Sequence, residues 1–371
     1  MRTYRRPPLD HLLAMTDDVG VLQHAMLDVP NRAFGYCTDD VGRALIVACD
    51  AAARRATAAD GARLVTTYLA YLHDAQLGNG WFHDFMGYDR RWQDHEGTPD
   101  AVGRAVWGLG YAERHAPRET WRTVAGRMRR HAHGAVDRMA YPRSRAYAAL
   151  GLTHALAAQM EDAAAVADAF ALRAYDAPEL RALLDRTLAP LADAFDAHAS
   201  PDWRWCEDVL TYDNARLCEA LLRGGAALGN ARYVRTGLAM LEFYETVAIE
   251  DDPSLGRIFV PVGNAGWYPR GGTKSRDGQQ PLEAAAMVDA ALAALDVTGD
   301  ERWSDVAEIA HAWFTGRNTH GIAVACETGC RDGLDAAGGL NRNMGAESTI
   351  CYLMSANALA NRSSRTLPAV R

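Results

Sequence analysis

Six times along this chain a stretch rich in Ala and Gly returns with its apolar positions three and four residues apart, the period of an α-helix. In the first, which runs on from Asp40, residues Val41, Ala44, Leu45, Ala48 and Cys49 share one face. The others fall near residues 99–113, 143–156, 213–223, 281–295 and 345–359. More polar helix candidates carrying Arg, Glu and Asp lie between them, near 62–71, 120–133, 178–197, 231–246 and 301–314. Small residues let neighbouring backbones approach, which suits a helix crowded on both sides, whereas an outer helix can turn a polar face to water. The alternation therefore predicts an all-α (α/α)6 toroid of six helical hairpins, formed by residues 1–371 as one domain. An open helical solenoid is the competing arrangement, with shorter and more regular units.

Composition agrees with a packed globular chain: 49% of residues are hydrophobic and 23% charged, enough to bury a sizeable core. The net charge is -8, Lys274 is the only lysine, and the arginines are scattered among acids. No basic stripe forms for a nucleic-acid backbone. The apolar stretch near the first residues is broken by Pro7, Pro8, Asp10 and His11, so no signal-peptide core arises, and no segment reaches the ~18 apolar residues of a membrane span. The expected location is cytoplasmic. Cys49, Cys218 and Cys351 sit among apolar helical neighbours and read as reduced, buried thiols.

Polar and aromatic clusters stand immediately before the small-residue helices. Thr38-Asp39-Asp40 opens the first, with Arg43 one turn on; adjacent acids there also suit helix capping and the helix dipole. The related string Thr16-Asp17-Asp18-Val19-Gly20, followed by Gln23 and His24, reads as another helix start. Residues 80–96 combine Trp81, Tyr88 and Trp92 with Asp84, Arg90 and Arg91, a rim-loop composition in which rings stack on sugar faces and charged groups bond hydroxyls. A solvated loop with its own Asp–Arg network has the same composition. Arg143 opens a third helix. Residues 202–214 bring Trp205, Glu207, Asp208, Tyr212 and Asn214. The Gly-rich run around Trp267 lacks the Gly-Lys-Ser/Thr ending of a phosphate loop and leads through Gln280 to Glu283. Cys326 and Cys330 have the spacing of half a metal site without a second half, so no metal or other cofactor is expected. Glu347 opens the last helix.

The strings YCTDDVGRALI, FMGYDRRW, EDVLTYDNARL, QQPLEAAAMVDA and NMGAEST resemble those of a bacterial family of (α/α)6-toroid proteins. Its members are found alone or fused to retaining-type glycosyltransferase domains and are described as glycosyltransferase-associated proteins or glycosidases. The resemblance spans nearly the whole chain. It implies the toroid, a mannose- or glucose-containing glycan, and a functional association with a glycosyltransferase. The Asp39–Asp40 pair is similar in kind to the Asp-Asp pair of toroidal α-mannanases. Two positions depart from the family pattern: Met344 where relatives favour Gln, and Gly278 near a usual Asp.

The expected function is glycoside hydrolysis of an oligosaccharide, which needs one carboxyl to protonate the leaving oxygen and a second to activate water or attack the sugar. Asp39, Asp40, Asp208, Glu283 and Glu347 are the candidate catalytic carboxylates. Arg43, Trp81, Asp84, Tyr88, Arg90, Arg91, Trp92, Arg143, Trp205, Glu207, Tyr212, Asn214, Trp267 and Gln280 are the candidate substrate contacts. A noncatalytic glycan-binding module and a sugar isomerase or epimerase are the alternatives; the last would use histidines such as His24, His83 or His95 as acid and base.

Overall fold

The computed structural model describes residues 4–165, 177–335 and 339–366. A short helix α1 (Asp10–Met15) precedes the inner–outer pair α2 (Thr38–Ala52) and α3 (Ala58–Ala75). Then come α4 (Pro99–His115) with α5 (Glu119–His131), a single turn α6 (His133–Asp137), and α7 (Pro142–Ala165) with α8 (Ala177–His198). The pairs α9 (Asn214–Leu228) with α10 (Ala231–Ala248) and α11 (Pro281–Thr298) with α12 (Arg302–Ala312) follow, and α13 (Ala346–Thr366) closes the series. Helices α2, α4, α7, α9, α11 and α13 pack each on the next, and α13 returns to α2. Each inner helix also packs on its outer partner, with α1 serving α13. The closed ring is the (α/α)6 toroid, and it excludes the open solenoid.

The two layers follow from side-chain size. In α11 every residue from Pro281 to Leu295 is buried, because Ala-rich faces meet neighbours all round. Outer helix α5 buries only Trp121, Ala125, Gly126, Met128 and Arg129. Where α4 meets α7, a methyl group on Gly110 would strike the carbonyl oxygen of Gly151, and one on Gly151 that of Val106. Glycine there sets the helix spacing.

Local chemistry fixes the helix starts. Thr98 accepts the Ala101 N–H ahead of Pro99, and Pro281 stands at the first position of α11, where its missing N–H costs nothing. The string from Thr16 is not a helix start: Thr16 ends α1, and Asp17 accepts the N–H groups of Val19 and Gly20 in a tight turn. Short ladders staple the loops at the entrances, including Tyr36–Cys37 with Phe85–Met86, Val209–Leu210 with Tyr268–Pro269, and Gly333–Leu334 with Leu340–Asn341. Two residues are too few to show the alternation by which a strand is read from sequence. All seven cysteines are free.

Candidate active site

The first turns of the inner helices are tied to one another around a single rim. Arg104 of α4 binds Asp39 of α2, Ser144 of α7 donates to Asp100 of α4, and Arg143 of α7 donates to Asn214 of α9 at 3.3 Å. The backbone N–H of Asp213, at the start of α9, donates to Glu283 of α11. Arg43 of α2 reaches Glu347 of α13 at 2.9 Å. Acids and rings far apart in the chain therefore meet because each stands at the entrance to a central helix.

A cavity of about 540 Å³ opens at this rim and is walled by Asp39, Asp40, Gln280, Glu347, Asp332 and Asp335 among others, with Cys37, His24 and Phe85 on one side. Beneath it lies Arg43, 3% exposed. Its guanidinium bonds Asp40 at 2.9 Å and Glu347 at 2.9 Å, and stands 3.8 Å from Asp39. A second buried cation, Arg104, is shared between Asp39 and Asp213 (3.3 Å) and receives further support from the Tyr147 hydroxyl at 2.8 Å. Four carboxylates thus draw on these two guanidinium groups, Asp213 also facing Arg216 at 3.6 Å.

That imbalance separates the two adjacent aspartates. Burial, together with the neighbouring charges of Asp39 and Glu347, pushes Asp40 up to about 8 despite its contact with Arg43. Burial acts on Asp39 too, but Arg104 and Arg43 outweigh it and hold that carboxyl below its ordinary value. Asp39 Oδ1 is buried without a hydrogen-bond partner, leaving one acceptor open. At neutral pH the pair therefore holds one proton, on Asp40, beside one charge, on Asp39.

The remaining sequence candidates divide by position. Glu283 is 1% exposed and lies below the rim. It accepts from the Asp213 N–H, from Tyr244 at 3.1 Å and from Asn214 at 3.5 Å, and burial next to Asp213 pushes it up to about 8. Asp213 adopts a left-handed conformation, φ 50°, so Glu283 braces a strained turn. Arg143 donates from a single Nη1 to both carboxyl oxygens of Glu207, at 2.9 and 3.0 Å, and lies over the Tyr212 ring; Tyr212 donates to Asp100 at 2.6 Å and its ring stands 6.4 Å from that of Trp267. Asp84, also raised by burial, accepts from Cys37 at 3.2 Å and Thr98 at 2.8 Å and joins the entrances of α2 and α4.

Several expected contacts fall elsewhere. Trp205 is fully buried and Trp81 nearly so, with its indole N–H on the Gly97 carbonyl, so neither offers a face to a ligand. Trp92 is stacked on His83 at 4.8 Å and pinned by Tyr71. The Asp208 carboxyl is turned outward toward Arg270 at 3.6 Å, Arg90 pairs with Asp18 at 2.8 Å on the surface, and Arg91 faces solvent. Tyr88 is exposed beside Tyr36. Sequence reasoning passed over Arg104 and Tyr147. A signal was present: Arg43, Arg104 and Tyr147 are each the sixth residue of their inner helix, polar interruptions at one level of small-residue stretches.

A second cavity of about 530 Å³ lies at the other end of the ring and is lined by Trp107, His115, His154, Glu219 and Asp289 among others. Among the described residues no group of three or more His, Cys, Asp or Glu side chains is disposed to hold a metal ion, and no helix is long and apolar enough to cross a membrane.

No protein-family model matches the chain, and no curated protein matches it in sequence. Solved structures do resemble it in fold. Cellobiose 2-epimerase from Bacillus thermoamylovorans superposes with a TM-score of 0.70 at 11% identity, covering 97% of this chain and 96% of the other. A family 76 glycoside hydrolase (mannosidase) from Bacteroides thetaiotaomicron gives 0.62 at 12% identity, covering 96% and 97%. An inactive α-1,6-mannanase from a Salegentibacter species, bound to α-1,6-mannotetrose and carrying alanine at two consecutive aspartates, gives 0.59 at 11% identity, covering 95% and 96%. These likenesses establish the toroid as a fold shared with sugar-processing enzymes of more than one reaction type.

Proposed function

We propose that the chain is a carbohydrate-active enzyme, a glycoside hydrolase that cleaves an oligosaccharide at the rim cavity. One observation carries this reading: two adjacent aspartates in the cavity wall have unequal cation contacts, Asp39 with Arg104 and Arg43 and Asp40 with Arg43 alone, so that Asp39 is held low while burial pushes Asp40 up to about 8. Glycoside cleavage requires that division of labour. Asp40 donates its proton to the glycosidic oxygen as the bond to the anomeric carbon breaks. Asp39, kept charged by Arg104, acts at the anomeric carbon directly or through a water, using the acceptor oxygen left without a partner. Glu347 and Asp40 are bridged by Arg43, which keeps their carboxyl oxygens no farther apart than the ~9.5 Å upper limit of paired glycosidase carboxyls. Gln280, in the cavity wall, binds hydroxyls, and the Arg143–Tyr212 group holds the neighbouring helix entrances in place. Loss of activity on replacing two consecutive aspartates, recorded for the Salegentibacter α-1,6-mannanase, agrees with a role for such a pair on this fold. A mannose- or glucose-containing glycan, and a glycosyltransferase as functional associate, complete the proposal.

A second reading, epimerisation, is favoured by the cellobiose 2-epimerase likeness and by His24 in the cavity wall. It needs an acid and a base on opposite faces of one carbon, whereas the cavity wall carries one histidine among several carboxylates. Incubation with manno- and gluco-oligosaccharides in deuterated water, with product separation and mass analysis, decides between the readings. Shorter saccharides are expected, and their loss in Asp40→Asn. Deuterium in an uncleaved sugar would establish epimerisation instead, and tight binding without either product a noncatalytic module.

A further inference from the structure

The large hydrophobic side chains that remain exposed are not spread evenly. Of the nine among the described residues, six belong to two segments beside the rim cavity: Met26, Leu27, Val29, Phe34, Phe85 and Tyr88. The segments are joined, since Tyr36–Cys37 pairs with Phe85–Met86, the Arg32 guanidinium lies over the Tyr88 ring, and Phe34 packs edge-on against His24 at 4.6 Å. Phe85 and His24 both line the cavity, so each of the two apolar segments reaches its wall.

The tip of this surface is a two-residue hairpin in which Met26 faces Val29 across Leu27 and Asp28. Leu27 has φ 54°, a left-handed backbone that glycine and asparagine adopt far more readily than a branched apolar residue. Leucine there is strained and 53% exposed. The strain is held by the body of the protein: Asn343 accepts the Leu27 N–H at 3.0 Å, and Met344 donates to the Leu27 carbonyl at 2.8 Å. A leucine that costs both conformational strain and exposure is thus clamped to the segment between Asn341 and Gly345, two residues of the cavity wall, and calls for an apolar contact.

Resting on the hydrolase reading and narrowing its substrate, we propose that the oligosaccharide is carried on an apolar alcohol, its sugar held among the rim carboxylates and its aglycone lying along Phe85, Phe34, Leu27 and Met26. Sugar rings would stack on the aromatic members alone; the aliphatic tip offers neither a ring face nor a hydroxyl partner, and an alkyl chain uses both. In the reaction Asp40 passes its proton to the oxygen of the leaving alcohol, the anomeric C–O bond breaks, and water supplies the hydroxyl that replaces it.

The test titrates octyl and methyl α-mannosides, and the corresponding glucosides, into the full chain below the micelle threshold of the octyl compounds. Each methylene withdrawn from water adds roughly a fourfold gain in affinity. An octyl compound is therefore expected to bind at least tenfold tighter than its methyl counterpart, and the double variant Met26→Ser, Leu27→Asn to bring that ratio below threefold; asparagine accepts the left-handed turn, so folding is preserved. Equal affinities, absent octyl binding, or a preference that survives the double variant would overturn the proposal. A dimer in sedimentation that the double variant dissolves would overturn it too, by assigning the surface to a second copy. Octyl preference without release of octanol sinks the hydrolase reading and leaves the apolar subsite standing, whereas cleavage with no octyl preference does the reverse.

Discussion

Replacing Asp40 by Asn should stabilise the protein, and increasingly so as pH rises. In the unfolded chain this carboxyl titrates at its ordinary 3.8; in the fold it titrates at about 8. Below pH ~4 it is protonated in both states and folding is not penalised. Between the two values the unfolded chain releases a proton that the folded protein retains, and stability falls with pH by as much as about 1.4 kcal/mol per unit. Asparagine has the shape of the protonated acid, can still accept the Arg43 N–H that Asp40 accepts at 2.9 Å, and has no proton to lose. From pH 5 to pH 8 the variant should therefore gain about 2–4 kcal/mol relative to the parent, the lower figure allowing for water that screens a carboxyl in a cavity wall. Urea denaturation of both proteins at pH 5, 6.5 and 8, followed by helical circular dichroism, reads the difference directly. Turnover on the true glycan is lost in the same variant. A stability difference that stays flat, or shrinks, with rising pH would show that Asp40 is ionised in the fold and would remove it as the proton donor.

Three further outcomes follow from the same contacts. Arg104→Met leaves Asp39 and Asp213 without their shared cation and should cost roughly 3–5 kcal/mol in chemical denaturation, while the pH profile of any residual activity moves its lower limb upward as Asp39 becomes harder to ionise. Glu283→Ala strands the Asp213 N–H and the Tyr244 hydroxyl and should cost roughly 2–5 kcal/mol, whereas Glu283→Gln, close in shape to the neutral acid, should stay within about 1 kcal/mol at pH 7; equal losses in the two would refute the bracing role. Gly151→Ala would add up to about 1 kcal/mol of stability in an ordinary exposed helix; between α4 and α7 it should instead lower stability by about 1–3 kcal/mol, seen as a drop in thermal midpoint.

The acids that the sequence placed at helix entrances had very different fates. Asp39, Asp40 and Glu347 reach the cavity wall, Glu283 sinks beneath it, and Asp208 turns out to solvent. Sequence position gave all of them the same reading because an acid near the start of a helix is favoured by the dipole whether it faces inward or outward. The direction of each depends on the rotation of its helix about its own axis, which packing against two neighbours decides. Aromatics behaved likewise: Trp205 and Trp267 sit in similar polar strings, yet one is core and the other stands near Tyr212.

The chain's own pattern of small and amphipathic helices specified stacked helical hairpins, since Ala and Gly at helical spacing allow close approach on both sides; the return of α13 to α2 is what closes them into a ring and excludes the solenoid. The pattern also specified the rim, because every entrance to an inner helix lies at the same end of a hairpin ring. Tertiary structure alone decided which carboxylates share which guanidinium. Two residues adjacent in sequence, Asp39 and Asp40, differ in proton affinity because Arg104, 65 residues from Asp39, bonds Asp39 directly and acts on Asp40 only from a distance. Charge–charge interaction falls with distance through a low-dielectric interior, and distances across a folded core are not written in the spacing along the chain.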